Sequence, residues 1–322
     1  MLTDQQLKQY HDDGFLILPK FFAREELQPV MNWVDTLVDD LANRLFKAGK
    51  IKDKHERAGF YERLTLLDRD FPGAAVLIHI NGVLGEPLAN LWSTSRLLDI
   101  IQQILGPDIA GHPVWNLRAK TPINPLATVP WHQDTAYLIP GAENTFQPTA
   151  WIPLIDANAV NGTLQVLKGG HRSGKVFKHS LENKKGHKSS WYLYIEEKDL
   201  PKGEIVTCEM PMGSVLLLNQ LIPHRSTENQ SQQIRWSVDL RWQRPAEPSG
   251  MEGVKSVIPM RLGGDKNFKP DWSEWAKKQR IQEYMQEKAI EMKDEFNAMV
   301  SGPWMERWEA APAEGNSAST RP

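Results

Sequence analysis

The chain has 322 residues, 40% hydrophobic and 24% charged, with 12 Trp, 10 Phe and 6 Tyr to fill a core. Its formal net charge of −2 provides no global basic field to draw nucleic acid or an acidic membrane surface. No stretch approaches the roughly 18 apolar residues of a membrane span, and one cysteine, Cys208, excludes an intrachain disulfide. The opening MLTDQQLKQYHDDGF is polar where a secretion signal needs an apolar centre. A reducing, cytoplasmic setting is therefore expected.

Thr3 and Gln6 form a capping-box pattern that predicts a short helix ending near Gly14. Phe15-Leu16-Ile17-Leu18 reads as a buried strand stopped by Pro19. From Arg24 to about Lys50, Leu27, Val30, Met31, Val34, Leu37, Val38, Leu41 and Leu45 recur at helical spacing. A second helical stretch runs from about Leu84 to Leu105, closed by Gly106-Pro107.

After Pro107 the texture changes to short β-branched and aromatic segments separated by Gly, Pro and Asn. Examples are Thr149–Leu154, Thr163–Leu167, Ser214–Leu218 and Ile234–Trp242. Ile205-Val206-Thr207-Cys208 belongs with them, with Cys208 as a buried thiol. Many short strands so spaced predict a sandwich or jelly roll. Arg172 to Lys202 is a long insertion, first basic and then aromatic, which reads either as a lid or binding loop or as a solvated loop. Beyond the strands Ile281, Met285, Lys288 or Ala289, Met292, Phe296 and Met299 mark one face of a helix that Gly302-Pro303 stops. Its stripe reads as packing surface.

The chemistry starts from Trp131-His132-Gln133-Asp134. In extended backbone residues i and i+2 share a face, so His132 and Asp134 can reach one point with an imidazole and a carboxylate. His224, in Pro223-His224-Arg225-Ser226 after a separate strand, can complete a set of two histidines and one carboxylate. That facial set leaves positions open for a chelating 2-oxo acid and O2 and is diagnostic of non-haem iron(II) oxygenases. Arg235 lies on a strand read as otherwise apolar, where an unpaired buried charge is costly. Its fork matches a carboxylate. The alternative for Arg235 is a structural ion pair with Asp239.

Taken together, His132-Gln133-Asp134, Trp151-Ile152-Pro153-Leu154, Asn161-Gly162-Thr163-Leu164, Gly169-Gly170-His171, His224-Arg225-Ser226, Asn229 and Arg235 resemble the phytanoyl-CoA dioxygenase family, as does the opening Leu2–Phe22. The resemblance covers roughly residues 1–245. It implies a mainly β fold, a double-stranded β-helix (jelly-roll, cupin-like) core with flanking helices. One domain over 1–310 is expected: a helical flank to about 106, the core at 107–245, and a helical extension at 270–302. Residues 311–322 read as a disordered tail. The resemblance also implies Fe(II), 2-oxoglutarate and O2 as cofactor and co-substrates. His132, Asp134 and His224 would bind the metal, and Arg235 and Ser226 the distal carboxylate of 2-oxoglutarate. Trp151 and Asn116 stand where cofactor contacts are expected. His79 stands where better-known members carry a cofactor-contacting lysine.

In related halogenases the metal carboxylate is replaced by a small residue. Asp134 is present, so hydroxylation or desaturation of a C–H bond, with release of succinate and CO2, is expected instead. The substrate reads as a small metabolite. Tyr137 is a candidate contact, and the lysines of the insertion would suit an anion. Neither nucleic acid nor membrane is expected as a partner, and a monomer or homodimer is. Two other readings stay open: a catalytically idle jelly-roll binding protein, and an oxygenase that modifies proteins.

Overall fold

The hydroxyl of Thr3 accepts from the Gln6 backbone N–H at 3.2 Å, and the Gln6 amide oxygen accepts from Thr3 N–H at 3.0 Å. This reciprocal cap starts α1 (Asp4–Asp13). Gly14 closes that helix with φ of 82°, a left-handed conformation that glycine adopts without strain, and the chain enters β1 (Phe15–Leu18). The computed structural model describes residues 1–80, 83–181, 192–251 and 257–273, with Trp275, Glu295, Phe296, Ala298, Val300, Trp304, Arg307 and Trp308.

The long helix α2 (Arg24–Lys47) buries Leu27, Val30, Met31, Val34, Val38, Leu41 and Leu45, the spacing expected of it. Two shorter helices, α3 (Arg63–Asp70) and α4 (Ala74–Ile80), follow without having been expected. Seven or eight residues make too few turns for a legible period. The Asp68 carboxylate takes over where propensity is weak, accepting from Gly73 N and Ala75 N at 3.1 and 3.0 Å. The stretch from Leu84 to Leu105 is two helices, α5 (Glu86–Trp92) and α6 (Ser95–Leu105). The break falls at Ser93-Thr94, whose hydroxyls donate to the carbonyls of Ala89 and Leu91.

The remaining strands are β2 (Ile109–Gly111), β3 (Asn116–Lys120), β4 (Thr149–Pro153), β5 (Leu164–Leu167), β6 (Ser180–Leu181), β7 (Leu193–Tyr194), β8 (Ile205–Cys208), β9 (Val215–Leu218), β10 (His224–Ser226), β11 (Arg235–Gln243) and β12 (Ile258–Arg261). A seven-stranded sheet runs β1-β9-β4-β11-β2-β12, with β3 also on β11. A three-stranded sheet, β10-β5-β8, forms the other wall, giving the expected jelly roll. The larger sheet draws β1 and β12 from outside the 107–245 span assigned to the core.

Strand β11 is buried along its whole length, yet its two faces differ. Trp236, Val238, Leu240 and Trp242 join one apolar core with Leu117, Ala150, Ile152 and the helical layer. Arg235, Ser237, Asp239 and Arg241 point the other way, into the space between the sheets. The description of Arg235 as a lone charge on an apolar strand is thereby corrected: it heads a polar row. A second apolar cluster, with Phe15, Trp151, Leu164, Val166, Cys208, Leu216 and Leu218, joins strands of the two sheets.

The described arms of the insertion pair as a ribbon, Ser180 with Tyr194 and Leu181 with Leu193. Lys184, Lys185 and Lys188, most of the C-terminal helical stripe, and the tail at 311–322 lie outside the described residues. Among the described residues no helix is long and apolar enough to cross a membrane.

Candidate metal centre and its cavity

His132 and His224 exchange backbone hydrogen bonds in both directions at 3.0 Å. This antiparallel bridge brings the two imidazoles together, their ring centroids 4.2 Å apart. Gln133 is extended, and Asp134 then opens a turn of 3-10 helix that ends at Tyr137. Asp134 Oδ1 lies 3.7 Å from His132 Nε2 and 3.8 Å from His224 Nε2. Two donors on one ion with bonds of about 2.1 Å lie at most about 4.2 Å apart, so a single ion can bridge both of these pairs. The three residues are all buried, with ligand atoms within 4.8 Å of one another.

The tautomers suit a metal as well. Nδ1 of His132 faces Pro130 O at 2.8 Å and Nδ1 of His224 faces Ile222 O at 3.0 Å. A carbonyl can only accept, so Nδ1 carries the proton and both Nε2 lone pairs face Asp134. Burial, then the neighbouring His132, pushes the His224 imidazole down to about 4, so it is neutral at pH 7. Burial opposes the charge on Asp134, but Arg241 together with His132 and His224 outweighs it and holds the carboxyl well below its usual range. Arg241 Nε and Nη2 donate to Asp134 Oδ2 at 3.2 and 3.1 Å, and Thr149 Oγ1 at 3.0 Å. With Oδ2 taken three times, Oδ1 is the oxygen presented to the ion.

The triad opens on a cavity of about 460 Å³ lined also by Trp151, Ser226, Arg235 and His79. Arg235 is buried, and among the described residues no carboxylate lies within 4.0 Å of it. Its Nε donates to Gly162 O at 3.2 Å, its Nη1 to Ser237 Oγ at 2.7 Å, and its guanidinium lies 5.1 Å from the Trp151 ring. Burial lowers its pKa to about 10, leaving it charged at neutral pH. The alternative pairing of Arg235 with Asp239 is not formed. Asp239 Oδ2 instead accepts from Arg118 Nε at 3.0 Å and Asn116 Nδ2 at 3.2 Å, with Arg241 at 3.9 Å. A buried cation with only neutral partners calls for an anion, and the forked donor suits a carboxylate.

The sequence profile of the phytanoyl-CoA dioxygenase (PhyH) family matches residues 10–237. The chain belongs to the phytanoyl-CoA dioxygenase family. With the family's chemistry and an intact His-Asp-His set, it is a non-haem iron oxygenase that uses Fe(II), 2-oxoglutarate and O2. A phytanoyl-CoA dioxygenase domain-containing protein 1 homolog of Dictyostelium discoideum is 23% identical over 276 residues, covering 80% of this chain and 94% of that one. A probable alpha-ketoglutarate-dependent hypophosphite dioxygenase of Stutzerimonas stutzeri is 27% identical over 236 residues, covering 72% and 74%. Among solved structures, the apo non-heme monooxygenase ThoJ superposes with a TM-score of 0.56 at 17% identity, over 90% of this chain and 96% of that one. EvdO2 from Micromonospora carbonacea, complexed with 2-oxoglutarate, gives 0.50 at 20% identity, over 77% and 94%. Both likenesses carry the fold.

The other singled-out residues of this family member divide. Ser226 Oγ accepts from Lys120 Nζ and from Val129 N, each at 2.9 Å, so its own proton remains to donate. His79 lines the cavity from α4, its Nδ1 3.4 Å from Leu117 O. Asn116 is not among the lining residues; its amide is used on Asp239. Tyr137 also stands back from the cavity. Its hydroxyl accepts from Leu193 N at 3.0 Å and its ring packs edge-on to His132, while Tyr192 of the insertion lines the cavity.

Three contributors escaped sequence reasoning. Lys120 is buried under Gly162, where φ of 85° and the Lys120 stem leave no room for a side chain. The polar alternation Asn116, Arg118, Lys120 was its signal. Gln133 ties the insertion to the metal strand, donating to Lys175 O and Leu221 O and accepting from Phe177 N. From the C-terminal region Trp304 packs on Tyr137, Arg307 donates to Leu138 O, and Trp308 Nε1 donates to Ala136 O. Those contacts brace the 3-10 turn that begins at Asp134.

Proposed function

We propose that this enzyme hydroxylates, or desaturates, an unactivated C–H bond of a small metabolite. The observation that carries the reading is the buried, carboxylate-free Arg235 set in the same cavity as the triad. For hydroxylation, R–H, 2-oxoglutarate and O2 become R–OH, succinate and CO2. Bound iron and 2-oxoglutarate supply the oxidising power for that C–H cleavage. The chain's own residues supply position. His132, Asp134 and His224 would hold the ion, and Arg241 with Thr149 would leave Oδ1 of Asp134 free for it. Arg235 and the Ser226 hydroxyl receive the distal carboxylate, with Trp151 beneath the guanidinium and His79 at the α4 wall.

The carboxylate at Asp134 supports oxygen insertion over halogenation. The proposal extends to a negatively charged substrate. Among the residues lining the cavity, arginine and lysine outnumber the carboxylates Asp68, Asp134 and Asp239 even with the outward-facing Arg225 left out. Iron(II) and the 2-oxoglutarate dianion cancel one another, so the surplus passes to the substrate. The test is aerobic incubation of the iron-loaded enzyme with 2-oxoglutarate and fractionated anionic metabolites. One fraction should give succinate matched one-to-one by a product heavier by one oxygen or lighter by two hydrogens. Succinate with no modified metabolite in any fraction would contradict it.

A further inference from the structure

The inner face of the large sheet carries a second guanidinium that no part of the co-substrate's binding uses. Arg118 projects from β3 between Asn116 and Lys120, and the register sets Lys120 opposite Arg235, Arg118 opposite Ser237 and Asn116 opposite Asp239. The Arg118 side chain leans away from Arg235, and its Nε donates to Asp239 Oδ2 at 3.0 Å. Asp239 neighbours Arg241, which holds Asp134. The guanidinium is thus held beside Asp239, on the side of the cavity where Arg241 holds Asp134.

One hydrogen bond through Nε leaves the two terminal amino groups of Arg118 with no protein partner among the described residues. Arg118 lines the cavity and keeps 24% of its side-chain surface accessible there, whereas Arg241, at 8%, is spent on Asp134. Lys120 donates to Ala127 O and Ser226 Oγ. Arg225 is also pinned through Nε, by Gln165, but it alternates with His224 and Ser226 on β10 and so faces away from the triad; Arg118 is the inward-facing guanidinium held by a carboxylate and left with donors to give. Asp239 acts as its mount: a guanidinium pinned at Nε offers the Nη edge in a fixed plane, the geometry that receives an oxyanion in two hydrogen bonds.

We infer that Arg118 is the substrate-anchoring residue, and that the substrate carries a carboxylate, phosphonate or sulfonate group that docks on its Nη edge. The inference rests on the iron and 2-oxoglutarate reading of the site. Each charge-assisted hydrogen bond to a buried cation is worth about 1.5–3 kcal/mol, so loss of the fork weakens anion binding by more than about tenfold.

The test uses the full chain loaded with manganese(II) and saturating 2-oxoglutarate, titrated calorimetrically with butyrate, methylphosphonate, methanesulfonate and, as a neutral control, butanamide. The wild type should bind at least one of the anions and not the amide. Arg118→Leu should lose that binding by more than tenfold. Arg118→Lys keeps a cation beside Asp239 but gives up the fork, and should fall between the two. Because Arg118→Leu strands Asp239, its melting transition is recorded alongside, and Arg118→Lys carries the test if that variant fails to fold. The 2-oxoglutarate affinity of the folded variants should stay within twofold of wild type. Equal anion binding by wild type and Arg118→Lys, or no anion bound by a wild type that does bind 2-oxoglutarate, would overturn the assignment alone. Parallel loss of 2-oxoglutarate and anion would give Arg118 to the co-substrate and overturn it too. A wild type that binds no 2-oxoglutarate would overturn the oxygenase reading first, and this one with it.

Discussion

Strand β11 puts two chemistries on one backbone, and the two are buried alike. On the helical side Trp236, Val238, Leu240 and Trp242 pack into the main apolar core. On the cavity side Arg235, Ser237, Asp239 and Arg241 are equally withdrawn from bulk water but are charged or polar. Burial on the first face lowers the free energy of the fold. Burial on the second opposes it, because cations removed from water need anions to offset the cost. Asp134 and Asp239 supply part of that compensation from within the chain. Arg235 has no carboxylate within ion-pair distance among the described residues, which is the observation behind the proposed site. Pleating lets one strand do both, since neighbouring side chains face opposite ways.

The contrast should separate function from stability by substitution. The largest effect is expected from Asp134→Ala, which removes one of the three proposed metal ligands. Metal affinity should fall by more than the roughly 10–100-fold typical of losing an outer partner, and 2-oxoglutarate consumption should drop to background; metal titration and succinate assay check both. On the apolar face, Trp236→Ala should cost about 3–5 kcal/mol of stability. Denaturant melts would show it, while 2-oxoglutarate affinity measured well below the transition stays unchanged. Arg241→Leu should leave the fold in place but free Oδ2 of Asp134, weakening metal binding about 10–100-fold without altering the coordination set seen by electron paramagnetic resonance of bound manganese. The smallest change concerns Cys208, whose thiol burial pushes up to about 12. It should resist alkylation at pH 8 in the native protein and react only as denaturant unfolds the jelly roll.

How much of this was readable in advance follows the range of the interactions. The cap at Thr3, the stripe of α2 and the short strands are local patterns, and they stand where they were expected. His132, Asp134 and His224 were legible as candidates because their residue types suit a metal and the surrounding motifs fit one pattern, and the structure brings their side chains together. Helices α3 and α4 were not, since they rest on the Asp68 carboxylate and on packing rather than on periodicity. Arg241 and Lys120 were passed over for another reason. Each is an ordinary cation in sequence and gains its meaning only when a strand far away, or the hydroxyl of Ser226, comes within hydrogen-bond reach. Asn116 and Tyr137 show the converse: both lie close to the site in sequence, yet they act behind its walls.

The central claim is that buried Arg235 lacks an internal carboxylate because 2-oxoglutarate supplies one beside the metal. Anaerobic calorimetric titration of 2-oxoglutarate into the manganese(II)-loaded protein tests it most directly, with Arg235→Leu alongside. The account predicts one metal-dependent site per chain, weakened about 100-fold in that variant, whose unliganded stability is equal to or above that of the wild type because an uncompensated charge has gone. Equal affinity in both proteins, or a marked loss of unliganded stability in Arg235→Leu, would contradict it and return Arg235 to a structural role.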